Sequence, residues 1–197
     1  ITITLAISIF LLLATIVGFG LRYGFEYVKD TIIGHESKEL LEGEWVKSAY
    51  GFPPVWVETP RVLKRVNIDS ILTEEDQKNI KLTTFMYGTL LDVFSVTVNN
   101  TTFNLPPQAQ EQDEDDQPLF DLFQISEASI KGFEEKGAVD IIVKRDQFIT
   151  PNAAEGLKTY GTFGLKMPNR EKTVDAEYVM LLFSNQKNVL QQIIVTW

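Results

Sequence analysis

The chain has 197 residues, a formal net charge of −9, 44% hydrophobic and 23% charged residues, one His and no Cys. The acidic balance argues against a nucleic-acid partner, which needs a basic surface, and against the domain lying flat on anionic lipid. Without thiols there are no disulfides, thiolate zinc sites, iron–sulfur clusters or Cys nucleophiles, and with His35 alone a zinc site would need three carboxylates; neither a metal nor a cofactor is expected.

Ile1 to Leu21 holds no charged residue, and 13 of its positions are Leu, Ile, Phe or Val. As a helix it would span roughly 31 Å, about one bilayer core. The pattern predicts a transmembrane helix with an interfacial extension over residues 1–33, stopped by Gly34. A signal peptide cleaved near Gly18-Phe19-Gly20 and a buried core helix are the alternatives. Phe19, Tyr23, Phe25 and Tyr27, with Arg22 and Lys29, form an aromatic and basic cluster suited to membrane lipid at the interface. Ala14 and Gly18, then Gly20 and Gly24, have the spacing that lets a second membrane helix approach, and are candidate partner contacts. A single amino-terminal anchor is expected to place the following domain outside the cytoplasm, as a single-pass protein of the cell (inner) membrane with a periplasmic domain. The sequence opens without Met and closes inside an apolar alternation, so both ends of the full protein are expected to lie beyond it.

Residues 34–51 are expected to link the anchor to a soluble domain over 52–197, with a strand-like stretch from Glu44 to Tyr50. Val55 to Glu58 is a second such stretch, and Pro53-Pro54 between them marks an edge. Trp45, Tyr50, Phe52 and Trp56 crowd this region, as a partner-contact patch or as a seal on the core. Thr73 to Asp76 reads as a capped short helix. Ile80–Tyr87 and Leu91–Val98 form a hairpin across Gly88-Thr89-Leu90. Asn99-Asn100-Thr101 and Asn100-Thr101-Thr102 are overlapping glycosylation sequons, relevant only in a eukaryotic secretory pathway. Residues 106–118 carry Glu111, Asp113, Glu114, Asp115 and Asp116. They lack the ligand spacing and central Gly of a calcium loop and are expected to be a solvated loop or a contact for a basic partner.

A helix is predicted from Pro118, with Leu119, Leu122, Phe123, Ser126, Ile130 and Phe133 on one stripe and Lys136 and Gly137 at its end. Ala138–Lys144 follows as a strand, with Val139, Ile141 and Val143 on one face. After Phe148 a turn is expected, with Pro151 at its start and Gly156 as a left-handed exit. The small residues of Thr159–Leu165 predict a bulge or a close backbone approach. Asp175–Ser184 and Val189–Trp197 form a second hairpin whose first arm, apolar on both faces, lies inside the sheet. Together these elements give an α+β fold: about seven antiparallel strands with one main amphipathic helix packed on them, preceded by the transmembrane helix.

The element order, with "PPVWVETP" on an early strand, then a hairpin, an amphipathic helix, "VDIIVKRDQFITPNAAEGLKTYGTFGL" and a closing "LQQIIVTW", resembles the PsbP/Mog1/DcrB-like domains. That resemblance spans residues 52–197. It implies an antiparallel sheet faced by helices and a non-enzymatic, extracytoplasmic domain that assists a larger membrane assembly. It carries no catalytic residues.

No enzyme motif is present. His35 has Glu39 where a zincin has its second His, and there is no Gly-x-Ser-x-Gly elbow. A carboxylate pair is defined in space rather than in sequence; Asp140 and Glu177, which interrupt apolar strands, are its best candidates, against plain exposure to water. The expected function is therefore a membrane-anchored, non-enzymatic accessory subunit that contacts other membrane-protein subunits. The alternatives are a small-molecule or lipid-binding domain with its ligand held between the helix and the sheet, beside Phe123 and Phe133, and a carboxylate-dependent hydrolase.

Overall fold

The computed structural model describes residues 42–66, 78–88, 92, 94–104, 120–166, 173–186 and 188–197. Residues 1–33, the helix expected at 73–76 and the acidic segment 106–118 lie outside them.

Nine strands and one helix make up the described structure: β1 (Val46–Tyr50), β2 (Val55–Thr59), β3 (Lys64–Val66), β4 (Ile80–Tyr87), β5 (Ser95–Phe103), α1 (Leu122–Glu134), β6 (Ala138–Ile149), β7 (Glu155–Lys166), β8 (Thr173–Gln186) and β9 (Val189–Thr196). β1 and β2 pair only with each other, and the other strands form a 7-stranded sheet in the order β3-β4-β5-β9-β8-β7-β6. Every pairing is antiparallel.

The expected α+β class is corrected by this arrangement. Strands account for 63% of the described structure and helix for 14%, so the fold is mostly β. The 7-stranded sheet was anticipated, but β1 and β2 make a separate layer, and β6, β7 and β8 run 12, 12 and 14 residues against a helix of 13. The transmembrane helix is not among the elements found: among the described residues no helix is long and apolar enough to cross a membrane.

Strand alternation sends side chains to two faces, and each face of the sheet carries a buried cluster. One cluster, including Leu82, Phe103, Ile130, Phe133, Phe163, Tyr178, Met180 and Leu182, lies beneath α1. The second, Tyr50, Val55, Leu63, Phe94, Val96, Val98 and Phe183, lies beneath the β1–β2 hairpin. The sheet is thus the middle layer of three. Asp121 caps α1: its Oδ1 accepts the N–H groups of Phe123 and Gln124, each at 3.0 Å. Gly137, at φ 91°, ends the helix in the left-handed region, as the sequence predicts. The stripe facing the sheet is rotated from the predicted one. Ile125, Ser126, Ser129, Ile130, Gly132 and Phe133 are buried, whereas Phe123 is 54% exposed, its ring 4.6 Å beneath the Arg145 guanidinium.

Adjacent residues of β5 and β9 point to opposite faces, and the amides Asn99, Asn100, Gln191 and Gln192 are all buried. On the helix side Thr84 donates to Asn99 Oδ1 (2.8 Å), Asn99 donates to Gln192 Oε1 (2.9 Å), and Gln192 donates to Ser129 Oγ (3.1 Å). This chain ties three neighbouring strands of the sheet to α1. Gln192→Leu removes the acceptor of a buried Asn99 N–H, and a loss of about 1–3 kcal/mol is expected in urea denaturation. Adding Asn99→Leu should cost less than it does in the wild type, because the two amides satisfy each other.

Burial at the end of α1 lowers the Lys136 ammonium from 10.5 to about 7, against the opposing pull of Glu135. Its folded pKa lies below its unfolded value, so charging the group disfavours the folded state. That penalty is full below pH 7 and is relieved as the pH rises towards about 10, where the unfolded chain also loses the proton. Lys136→Met should therefore be more stable than the wild type at pH 6, with the gap in urea midpoint closing by about pH 10.

Candidate functional site

The β1–β2 hairpin is two-sided. Its register, Ala49 opposite Trp56 and Tyr50 opposite Val55, turns Tyr50 and Val55 inward. Tyr50 is 3% exposed, its ring 5.2 Å from that of Phe85, and its hydroxyl accepts the Leu63 N–H at 2.9 Å. Trp56 faces the other way and is 63% exposed, and Phe52, on the tip, is 80% exposed. Trp45 is 43% exposed and rests edge-on against Phe94 at 6.1 Å. Val62, just beyond β2, is 57% exposed.

The tip is held down rather than left to swing. Gly51 adopts φ 77°, and a Cβ there would lie 2.7 Å from Asn100 Nδ2, so the chain turns flush against β5. The Phe52–Pro53 bond is cis. The Pro53 carbonyl accepts from Gln191 Nε2 at 2.6 Å and from Asn100 Nδ2 at 3.3 Å. Two buried amides of the central sheet thus fix the backbone that presents Phe52. The arrangement is a braced platform with large apolar side chains in water. It suits recognition by burial of aromatic anchors.

Of the four aromatics singled out in the sequence, Phe52 and Trp56 share the outer surface, Trp45 borders the hairpin's base, and Tyr50 belongs to the core. Ala14, Gly18, Gly20 and Gly24, and Phe19, Arg22, Tyr23, Phe25, Tyr27 and Lys29, lie outside the described residues, as does His35. Asp140 and Glu177 are both exposed. They sit on β6 and β8, with β7 between them, about two strand spacings or 10 Å apart. Asp140 lies at φ 53° in a bulge, a backbone role that Asp tolerates well. Beside Phe133, where the ligand-binding alternative places its ligand, three rings meet: Phe133 is 1% exposed, with Phe163 and Tyr178 rings at 5.7 and 5.6 Å. Burial also pushes the Tyr178 hydroxyl up to about 12, so it stays protonated and donates to Ile142 O at 3.2 Å.

Sequence reasoning missed Asn100 and Gln191, the side chains that brace the tip. The available signal was adjacency: Asn99-Asn100 and Gln191-Gln192 stand within apolar strands, so one amide of each pair must point to each face. No protein-family model matches this sequence, and no curated protein matches it.

Proposed function

We propose that this chain is a membrane-anchored, non-enzymatic accessory subunit that docks onto another membrane-protein subunit through the outer face of its β1–β2 hairpin, in an extracytoplasmic position at the inner membrane. The observation that carries the reading is Phe52 and Trp56, large apolar side chains 80% and 63% exposed on a hairpin whose tip is fixed by two buried amides. Trp and other aromatics on a preorganised surface bind with little ordering cost, and such anchors dominate interface energies. The anchor itself is supported by the uncharged composition of residues 1–21. It keeps the hairpin, whose first strand lies within the expected linker, close to the bilayer, where a membrane-bound partner is at high effective concentration.

The test is a photo-crosslinking residue at position 56 of the full chain in its native membrane, with one at exposed Glu155 as the control. A discrete membrane-protein adduct from position 56 alone is expected. Phe52→Ser combined with Trp56→Ser should abolish co-purification of that protein while leaving the unfolding free energy from urea denaturation within about 0.5 kcal/mol, because both side chains are exposed. Equal adducts at both positions, or co-purification that survives the double substitution, overturns the reading.

A further inference from the structure

Asn99-Asn100-Thr101 and Asn100-Thr101-Thr102 are both acceptor sequences for N-glycosylation. In the folded chain neither acceptor is available. Asn99 is 2% and Asn100 4% exposed. The nitrogen that would carry the sugar is in use in each case: Asn99 Nδ2 donates to Gln192 Oε1 at 2.9 Å and Asn100 Nδ2 to Pro53 O at 3.3 Å. The two side chains leave β5 on opposite faces, so a glycan on Asn99 would push into the layer under α1 and one on Asn100 would lift the hairpin tip. Space is short as well: a single methyl group on Gly51 would already stand 2.7 Å from Asn100 Nδ2.

Burial protects these nitrogens only once β5 has paired with β9. Gln192 follows Asn99 by 93 residues, which at about 5–20 residues per second delays its synthesis by roughly 5–20 s. Glycan transfer acts on the extended nascent chain. It forms a bond from Nδ2 to C1 of the sugar, breaks the C1–O bond to a lipid-pyrophosphate donor and releases one Nδ2 proton. A chain entering a compartment with that machinery would present both acceptors before its sheet closed, and a modified strand has no place in the sheet.

We infer that this domain folds in a compartment free of nascent-chain N-glycosylation, because its two overlapping acceptor sites are structural side chains of the central strand. An extracytoplasmic position is then compatible with a bacterial-type envelope and incompatible with a eukaryotic secretory route. The inference does not depend on docking at the hairpin: Asn99, buried under α1 and bonded to Gln192, carries it whatever the tip binds.

The test sends the full chain into a eukaryotic secretory pathway behind a cleavable leader, beside a Thr101→Val/Thr102→Val chain. That variant lacks both acceptor sequences and keeps β-branched side chains in the strand. Both chains are first made in bacterial cytoplasm and matched for protease resistance. From the secretory route, the wild type should gain glycosidase-sensitive mass and be digested by a protease dose that leaves the valine variant intact, and tunicamycin should restore its resistance. A protease-resistant wild-type chain from that route, glycosylated or bare, overturns the inference. So does a valine variant that is digested there as readily as the wild type.

Discussion

Gly161→Ala should cost about 3–5 kcal/mol, the range in which single substitutions report a specific structural fault. A Cβ at this position would stand 1.8 Å from the Ile142 carbonyl oxygen and 2.8 Å from its carbon. Both are backbone atoms, so no side-chain rotation relieves the overlap and β6 itself must move. The reason for the approach is the extra residue in β6: Val139 pairs with Gly164 and Ile142 with Thr162, a β-bulge that throws the Ile142 carbonyl over β7. Tyr178, paired with Gly161 from the other side, reaches across the bare glycine to donate to that carbonyl at 3.2 Å. A methyl group would separate the bulge from the tyrosine that anchors it and disturb the aromatic cluster beneath α1. Gly164→Ala is the control. Its Cβ would meet Val139 Cγ2 at 3.2 Å, the end of a side chain that can give way, and a cost below about 1.5 kcal/mol is expected. Urea midpoints separate the two, and hydrogen exchange in β6 should rise only in Gly161→Ala. Equal midpoints would show that the bulge shifts freely.

That bulge was partly legible. A run of small residues from Thr159 to Leu165 signals close backbone approach, and the approach is real, although the extra residue sits in the partner strand. The end of α1 was legible for the same physical reason: only Gly takes φ 91° without strain, and Gly137 stands where the apolar stripe stops. The same rule misleads at the β6–β7 turn. There Ala153 holds the positive φ of 62°, and Gly156 instead lies within β7 under Phe148, whose ring would touch an added Cβ at 2.5 Å or less. Strand ends were misread where polar residues fall inside strands. β5 runs on to Phe103 because Asn99, Asn100 and Thr101 are buried and paired, whereas apolar alternation alone stops at Val98. The α+β expectation fails for a related reason. An amphipathic stripe shows that a helix covers a sheet face but not how little of the sheet it covers.

The candidate site divides along register. Aromatic crowding around Pro53-Pro54 marked the right stretch, but which aromatics face water depends on the pairing of Tyr50 with Val55 and Ala49 with Trp56. A shift of one residue exchanges the faces, and aromatic crowding alone does not say which register holds. It is fixed from a distance by Phe85, by the Leu63 N–H and by the amides on Pro53, all contributed by other segments.

Phe133→Ala is expected to cost about 3–5 kcal/mol, the transfer energy of a buried ring plus the cavity it leaves. Phe133 sits at the contact of three rings, 5.7 Å from Phe163 and 5.6 Å from Tyr178, which are themselves 5.9 Å apart, and each is no more than 2% exposed. Removing the ring leaves α1 held at this point by the smaller contacts of Ile130 and by the 2.7 Å bond between Ser126 and Thr159. The result also decides between a packed core and a ligand chamber. If the layer under α1 is solid, the wild type should bind no small apolar probe such as benzene or xenon, and Phe133→Ala should both lose stability and recover part of it when the probe fills the gap. A chamber already present beside Phe133 gives the opposite pattern. The wild type would then be stabilised by the probe, and truncation would cost little because the ring already bordered empty space. Probe-dependent shifts in the urea midpoint of both proteins separate the outcomes, and the three-ring contact predicts the first.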